Sequence, residues 1–548
     1  MNPYAFGIIT SIVIYLLIGS YAGRRVKDVD DYFVAGRDSS TLLIAGTLVA
    51  SYLSTAAFLG ETGFTYQGHG AILMILVGVN IVGYVLGAAF FGRYVRRSQA
   101  ITVAEFFGKR FNSRRVQAAA GVTVIGGVTA YLLAVTQGAS LAISEVMHIP
   151  YDVTLLIVWI GYTSFTIYSG SKGVVLTDTV MYLLFTFVGF LSLYYILDET
   201  GGWFATIESL AVYEAKPGII SWHGIVGSDS RWQTPFDSVG WGLVLGVAWA
   251  FTIAVSPWQS SRYLMAKNEH TVIRSACFAS ASVVVLYWAL VVSAAAVNLL
   301  NPDIEPNEKA MIWAAFNAMP TYAGVLFMTG VVAAALSSAS TFLSLIGFSA
   351  TNDLVEIRQG DEHRKLRLSR YTMLAVGIVI LIVAYFQPPA IMMISYFAAT
   401  LFSSSWGPVA FMSVWSKRIT ADGAFWGIVV GFVGNLIPKI LSVFEVIYLP
   451  VYLDPFVIGI VLSLITIILV SRNGRVTEEE HLYRMKVHQT PPAEYDPSLT
   501  AKTLWFAKGL MVCGAALTIL MIVFYVLPYE HTVEHKADYL CLAQWFLS

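Results

Sequence analysis

The stretch 50–63 sets Ser51, Tyr52, Ser54 and Thr55 shortly before Gly60, Glu61 and Gly63, inside a run that is otherwise apolar. Hydroxyls beside glycines suit a helix that unwinds and turns its carbonyls toward a cation. They equally suit close helix packing, with Ser and Thr bonded back to their own turn. A second stretch, 330–341, carries Ser337, Ser340 and Thr341 at i, i+3 and i+4, with Ser338 beside them, behind a run of alanines. Hard neutral oxygens in that pattern favour an alkali cation over a transition metal, which would want imidazole or thiolate. Helix-packing serines are the competing explanation. The third stretch, 169–178, uses Gly170 and Gly173 to end one helix and begin another. Asp178 then lies about 9 Å beyond Lys172 by helical rise. A carboxylate at that depth calls for a compensating cation, unless it pairs with Lys172 or meets cytoplasmic water.

Other candidates carry less. The pattern His531-x-x-Glu-His535 matches a metalloprotease spacing but sits in a short tail with no domain around it. Cys277, Cys513 and Cys541 have no metal-type spacing and form no even framework. Without a phosphate-cradling loop ending in Lys-Ser/Thr, direct ATP use has no support. No nucleophile–base pair is legible, so the expectation is that the chain is not an enzyme. Lys and Arg (33) balance Asp and Glu (34), and no basic tract is interleaved with aromatics, so a nucleic-acid partner has no electrostatic basis.

The elements that must position these residues follow from composition. Of 548 residues, 57% are hydrophobic and 12% charged, against roughly 25% charged in a soluble domain. Most of the apolar surface must therefore face a lipid bilayer. Runs of about 20 apolar residues, each enough for one crossing, fall near 4–22, 41–66, 71–95, 116–147, 152–170, 173–199, 237–261, 273–300, 321–352, 371–388, 391–416, 421–441, 454–471 and 503–528. The first has no Lys or Arg before Arg24 and no small-residue cleavage site, and is expected to be a retained helix. Fourteen crossings with both ends outside place 28 of the 33 basic residues, Arg25, Lys27 and Arg358 among them, on the cytoplasmic side. Lys216, Arg231, Lys309, Lys439 and Lys536 are left outside. Missing one central span would destroy that asymmetry. The expectation is an all-α, multi-pass protein of the plasma or inner membrane. Its longest connections are 200–236 outside and 472–502 inside. The segment 102–111, aromatic and basic, reads as a membrane-surface helix, and Trp222 and Trp232 read as interface anchors.

Several motifs together resemble the sodium:solute symporter family over about residues 4–472. They are Asp30-Asp-Tyr-Phe-Val-Ala-Gly-Arg37, the segment 102–111, Gly173-Val-Val-Leu-Thr-Asp178, Gln259-Ser-Ser-Arg-Tyr-Leu-Met-Ala-Lys267 and Ala-Leu-Ser-Ser338. The resemblance implies a LeuT-type fold of two five-helix inverted repeats near 41–199 and 237–416. Residues 1–40 and 417–548 would supply extra terminal helices, with 200–236 an outer loop. It further implies a sodium site from the carbonyls of Ala50, Leu53 and Ala334 with the hydroxyls of Ser337 and Ser338. Some members have a second sodium site, here Asp178, Ser340 and Thr341. Each sodium would supply about 3.7 kcal/mol at 100 mV and a tenfold gradient, so two support roughly 10⁵-fold accumulation and one several hundred-fold.

The pocket positions implied by the resemblance are Tyr52, Ser54, Ala57, Val77, Asn80, Trp249, Thr252 and Thr400. They are less polar than a sugar's hydroxyls require. Residues 50–54 with 58–60 look closer to the pantothenate and monocarboxylate branch, so the expected cargo is a small organic acid or amino-acid-like solute moved inward with Na⁺. Proton coupling through Asp178 or Glu61, and a sensor built on a transporter scaffold, are the alternative functions.

Overall fold

The computed structural model describes residues 2–24, 26, 28–228, 230–355, 361–386 and 391–534. Arg25, Lys27, Arg358, His535, Lys536 and Cys541, and the last two residues of the run 371–388, lie outside the described residues. Within them the chain is helical, without a named strand; a single isolated bridge joins Ser39 to Ala266. Helix starts follow local chemistry. Ser40, Ser113, Thr234 and Asn268 each accept the amide three residues on. Pro3, Pro235, Pro455 and Pro497 occupy first helical positions, where the missing N–H costs nothing.

Eleven helices among the described residues are long and apolar enough to cross a membrane. Two continuous runs contain breaks. Ala56–Arg97 has 42 residues, about 63 Å if straight, or twice a bilayer core. Gly68 turns it at φ 97°. Tyr151–Glu199 has 49 residues and is divided at Gly170, whose φ 57° and ψ −161° only glycine adopts readily. In the most apolar window of Thr321–Leu354, 94% of residues are buried, against none in that of Pro497–Glu534. The first is therefore the central pillar and the second an outlying helix. Among large apolar side chains, Leu17, Phe187, Tyr194, Val512 and Met511 face outward, as a hydrocarbon solvent permits.

Two helices are interrupted at mid-length, each for a local reason. Thr41–Tyr52 ends where Leu53 takes an extended ψ of 101°, and helix resumes at Ala56. The Leu53 amide still reaches the Val49 carbonyl, but the next backbone bonds, from Ala57 and Phe58, go to Ser54. The carbonyls of Ala50 to Leu53 are passed over. Pro235–Val255 ends because Pro257 has no N–H to offer Ile253 and forces the preceding Ser256 into an extended conformation, φ −58° and ψ 149°.

Two expectations are corrected. Val103–Arg110 is a helix capped by Thr102, but Phe106 and Phe107 are wholly buried against Phe91 and Trp406, and Arg110 is buried as well. Arg110 donates to the Ser413 and Glu480 carbonyls. Its basic and aromatic side chains therefore clamp protein rather than float on lipid. Trp222 is exposed, whereas Trp232 is buried in an aromatic cluster with Phe64, His69 and Trp241. Trp232 is a packing residue of the outer loop, not an interface anchor.

Candidate functional site

The first interruption faces the central pillar. Ala334, Ser337 and Ser338 share one face of Thr321–Ser349, and all are fully buried. The Ser338 hydroxyl reaches the Ala50 carbonyl at 3.4 Å. Ala50 and Leu53 are likewise buried, with Leu53 at the break itself. The structure thus brings a freed carbonyl of one element against a hydroxyl of another, while the neighbouring Ser337 hydroxyl donates to the Asp178 carboxylate. That donor chemistry fits Na⁺: neutral, hard oxygens, part of them main-chain.

Beside this seam sits a buried charge pair. Asp178 lies on Gly170–Glu199 and accepts hydrogen bonds from Thr47 at 2.5 Å and Ser337 at 2.7 Å. The Arg262 guanidinium stands 3.3 Å from its second oxygen. Arg262 also donates to the Thr341 hydroxyl, and Ser340 bonds back to the Ser337 carbonyl of its own helix at 2.9 Å. Lys172, the alternative partner considered for Asp178, pairs instead with Asp31 at 2.7 Å. Asp178 is completely buried, so it is neither solvated nor paired with its sequence neighbour. Asp178 and Thr341 do come together, around a guanidinium, while the Ser340 hydroxyl is engaged by its own helix. Arg262 is the residue that sequence reasoning missed. Its signals were its place in the motif 259–267 and a base set within an otherwise neutral helix, Pro257–Leu264, just after a proline break.

Above the break the side chains become aromatic. Tyr52 accepts a hydrogen bond from the Asn80 amide at 2.6 Å and packs edge-on against Trp249, ring centres 5.6 Å apart. Ala57 and Val77 are buried in the same core. The Ser54 hydroxyl accepts the Ala56 amide at 3.1 Å, tying off the broken end. Thr252 donates to the Ala399 carbonyl at 2.8 Å, locking its helix to Ile391–Trp415, and Thr400 is held by its own Phe397 carbonyl at 2.9 Å. Of the expected pocket, Tyr52, Asn80 and Trp249 form one cluster, while Thr252 and Ser54 are engaged with backbone. Thr400 faces an outer cavity of about 480 Å³, shared with Arg231, Trp241, Tyr396, Lys439 and Asp454.

Glu61 belongs to this cluster. It is 5% exposed and accepts hydrogen bonds from Tyr287 at 2.5 Å and Tyr396 at 3.0 Å. The two tyrosines, from distant helices, enclose it. Outside Tyr396 the ring of Trp241 lies parallel at 6.2 Å, and Arg231 sets its guanidinium over Trp241 at 5.1 Å and Trp232 at 5.2 Å. Burial pulls the Arg231 pKa below the usual guanidinium range. The 200–234 loop thereby covers the cluster from outside.

Comparison with known proteins agrees with this architecture. The profile described as Sodium:solute symporter family matches residues 32–431. The Sodium/pantothenate symporter of Escherichia coli (strain K12) is 23% identical, covering 85% of this chain and 96% of that protein. The Sodium/proline symporter of Haemophilus influenzae is 25% identical, covering 76% and 84%. Among solved structures, a Na⁺-coupled sialic acid symporter in a substrate-bound outward-open state superposes with TM-score 0.74 at 17% identity, covering 87% of this chain and 99% of that one. Mhp1, a nucleobase-cation-symport-1 family transporter in a closed conformation, gives 0.55 at 12% identity, covering 83% and 98%.

Proposed function

Since this chain belongs to the sodium:solute symporter family, we propose that it draws Na⁺ and a small organic solute into the cell together, by alternating access about the two interrupted helices. It is a transporter rather than an enzyme, a multi-pass protein of the cell membrane. Its ion site is the seam of Ala50, Leu53, Ala334, Ser337 and Ser338. The observation that carries this reading is the Ser338 hydroxyl lying 3.4 Å from a carbonyl exposed by the helix break. The bonds that would hold the ion link two separate helices, so ion release loosens one from the other.

The coupling ratio is one sodium per solute. Asp178 and Thr341, expected to hold a second ion, are bridged by Arg262, and a resident guanidinium already neutralises the carboxylate. The chain crosses the bilayer fourteen times with both ends outside, in two repeats near 41–199 and 237–416, whose first helices are the interrupted ones. Relatives named for pantothenate and proline support an organic acid or amino-acid-like cargo, placed around Tyr52, Asn80 and Trp249. A second reading couples transport to protons through Glu61, whose burial between two tyrosine hydroxyls would suit a titrating group. Uptake into proteoliposomes separates the two: an inward sodium gradient in potassium-loaded vesicles drives accumulation under the first reading, and a pH gradient substitutes for it under the second.

A further inference from the structure

The carboxylate of Glu61 has two hydrogen-bond donors and, among the described residues, no cation within ion-pair distance. Of the other buried acids, some face a cation and some only neutral donors. Asp178 has Arg262, Glu269 has Arg97, and Asp353 collects donors from Thr102, Gln117, Ser349 and Asn352. An ionised carboxylate in a membrane core needs a positive partner. Around Glu61 the protein supplies rings. Tyr287, one of its donors, stands 6.0 Å from Tyr52; Tyr52 stands 5.6 Å from Trp249; Trp249 stands 5.4 Å from Tyr396, the other donor. The circuit Glu61–Tyr287–Tyr52–Trp249–Tyr396 closes on itself. Two buried polar atoms on this circuit lack a partner, the Asn80 amide oxygen and the Trp249 indole N–H. Both are free to meet a ligand or a water.

We propose that this aromatic circuit with its single carboxylate is the recognition site for a positively charged nitrogen, so that the co-transported solute is an ammonium compound, zwitterionic or cationic, rather than a simple organic acid. Aromatic faces attract such nitrogens electrostatically, and Glu61 supplies the opposite charge. The Asn80 oxygen takes an N–H where the nitrogen carries one. The outer layer shows the same chemistry in use, since Arg231 rests its own guanidinium on Trp232, Trp241 and Phe64. A carboxylate on the solute would point outward, to the cavity lined by Arg231 and Lys439. This inference rests on the symport reading and narrows its cargo.

The test is thermal stabilisation of the purified full chain in NaCl against KCl, using matched pairs that differ in one atom of charge. Glycine betaine is paired with 3,3-dimethylbutanoate and choline with 3,3-dimethyl-1-butanol, beside primary and secondary amines, proline and pantothenate. At least one ammonium solute is expected to stabilise in sodium, at concentrations at least tenfold below any effect of its neutral-carbon counterpart. E61Q, which keeps one acceptor oxygen for a tyrosine and removes the charge, should raise that concentration tenfold or more. Equal stabilisation by the carbon isostere, a response to pantothenate alone, no shift from any ammonium solute, or an unaltered E61Q overturns the proposal. The isostere comparison on the unmodified chain decides the matter if E61Q does not fold. Sodium dependence of whichever solute binds keeps symport standing even when the ammonium class fails; stabilisation indifferent to sodium strikes symport instead.

Discussion

Neutralising Asp178 should cost far more than neutralising Asp178 and Arg262 together. The Arg262 side chain is 3% exposed and that of Asp178 is fully buried. D178N leaves a guanidinium buried in the protein interior facing only the Thr341 hydroxyl and a neutral amide. Removing one partner of a buried ion pair typically costs about 3–5 kcal/mol, which is at least roughly a hundredfold in the folding equilibrium. R262M is milder, because Thr47 and Ser337 still donate to the carboxylate and protonation can discharge it. In D178N/R262M no charge remains to be desolvated, and replacing a buried pair by neutral groups is often close to neutral. Denaturant unfolding in mixed micelles, followed by the fluorescence of the protein's tryptophans, gives the double-mutant cycle. The expected interaction energy is about 2 kcal/mol or more, with the double variant more stable than D178N. Additivity within about 0.5 kcal/mol, the behaviour of independent sites, would refute the pairing.

Four further outcomes are expected. S337A removes a sodium oxygen and leaves an Asp178 oxygen without its donor, a loss of about 1–3 kcal/mol that raises the sodium concentration for half-maximal uptake about five- to 150-fold; S338A acts in the same direction. S340A should stay within about twofold of the unmodified chain, because that hydroxyl is bonded within its own helix; a large effect there would restore the second ion site. P257A returns an N–H beneath the Ile253 carbonyl and heals the second interruption, so uptake should slow while thermal stability is kept or rises. G170A puts a Cβ 2.5 Å from the Tyr32 ring at φ +57°. It should destabilise by about 1–3 kcal/mol and weaken sodium activation, since that bend delivers Asp178; an unchanged midpoint in both assays would count against the bend's role.

The residues of the proposed ion seam could be picked out because they are linked by short-range patterns. Hydroxyls at i, i+3 and i+4 on an alanine-rich helix must share a face wherever that helix packs, and the hydroxyl-and-glycine run 50–63 could be read as a site of unwinding. The Pro257 break was equally available from local rules, since proline removes a donor and displaces the residue before it. The partners were less visible. Arg262 lies 84 positions from Asp178, and no short-range pattern links the two, while Lys172, one helical turn and a half away, pairs with Asp31. Tyr287 and Tyr396 reach Glu61 from 226 and 335 residues away, and no periodicity within a single helix records such an encounter. Phe106 and Phe107 misled for the opposite reason. Aromatics beside bases suit both a lipid surface and a buried clamp, and only the packing of Trp406 and Phe91 distinguishes the two.

Direct sodium binding bears hardest on the whole account. Purified protein titrated with ²²Na⁺ in a potassium background should show one saturable site per chain, lost or weakened at least tenfold in S337A/S338A and kept in S340A. Absence of saturable binding in the unmodified chain, or binding untouched by the paired serine substitution, would contradict it.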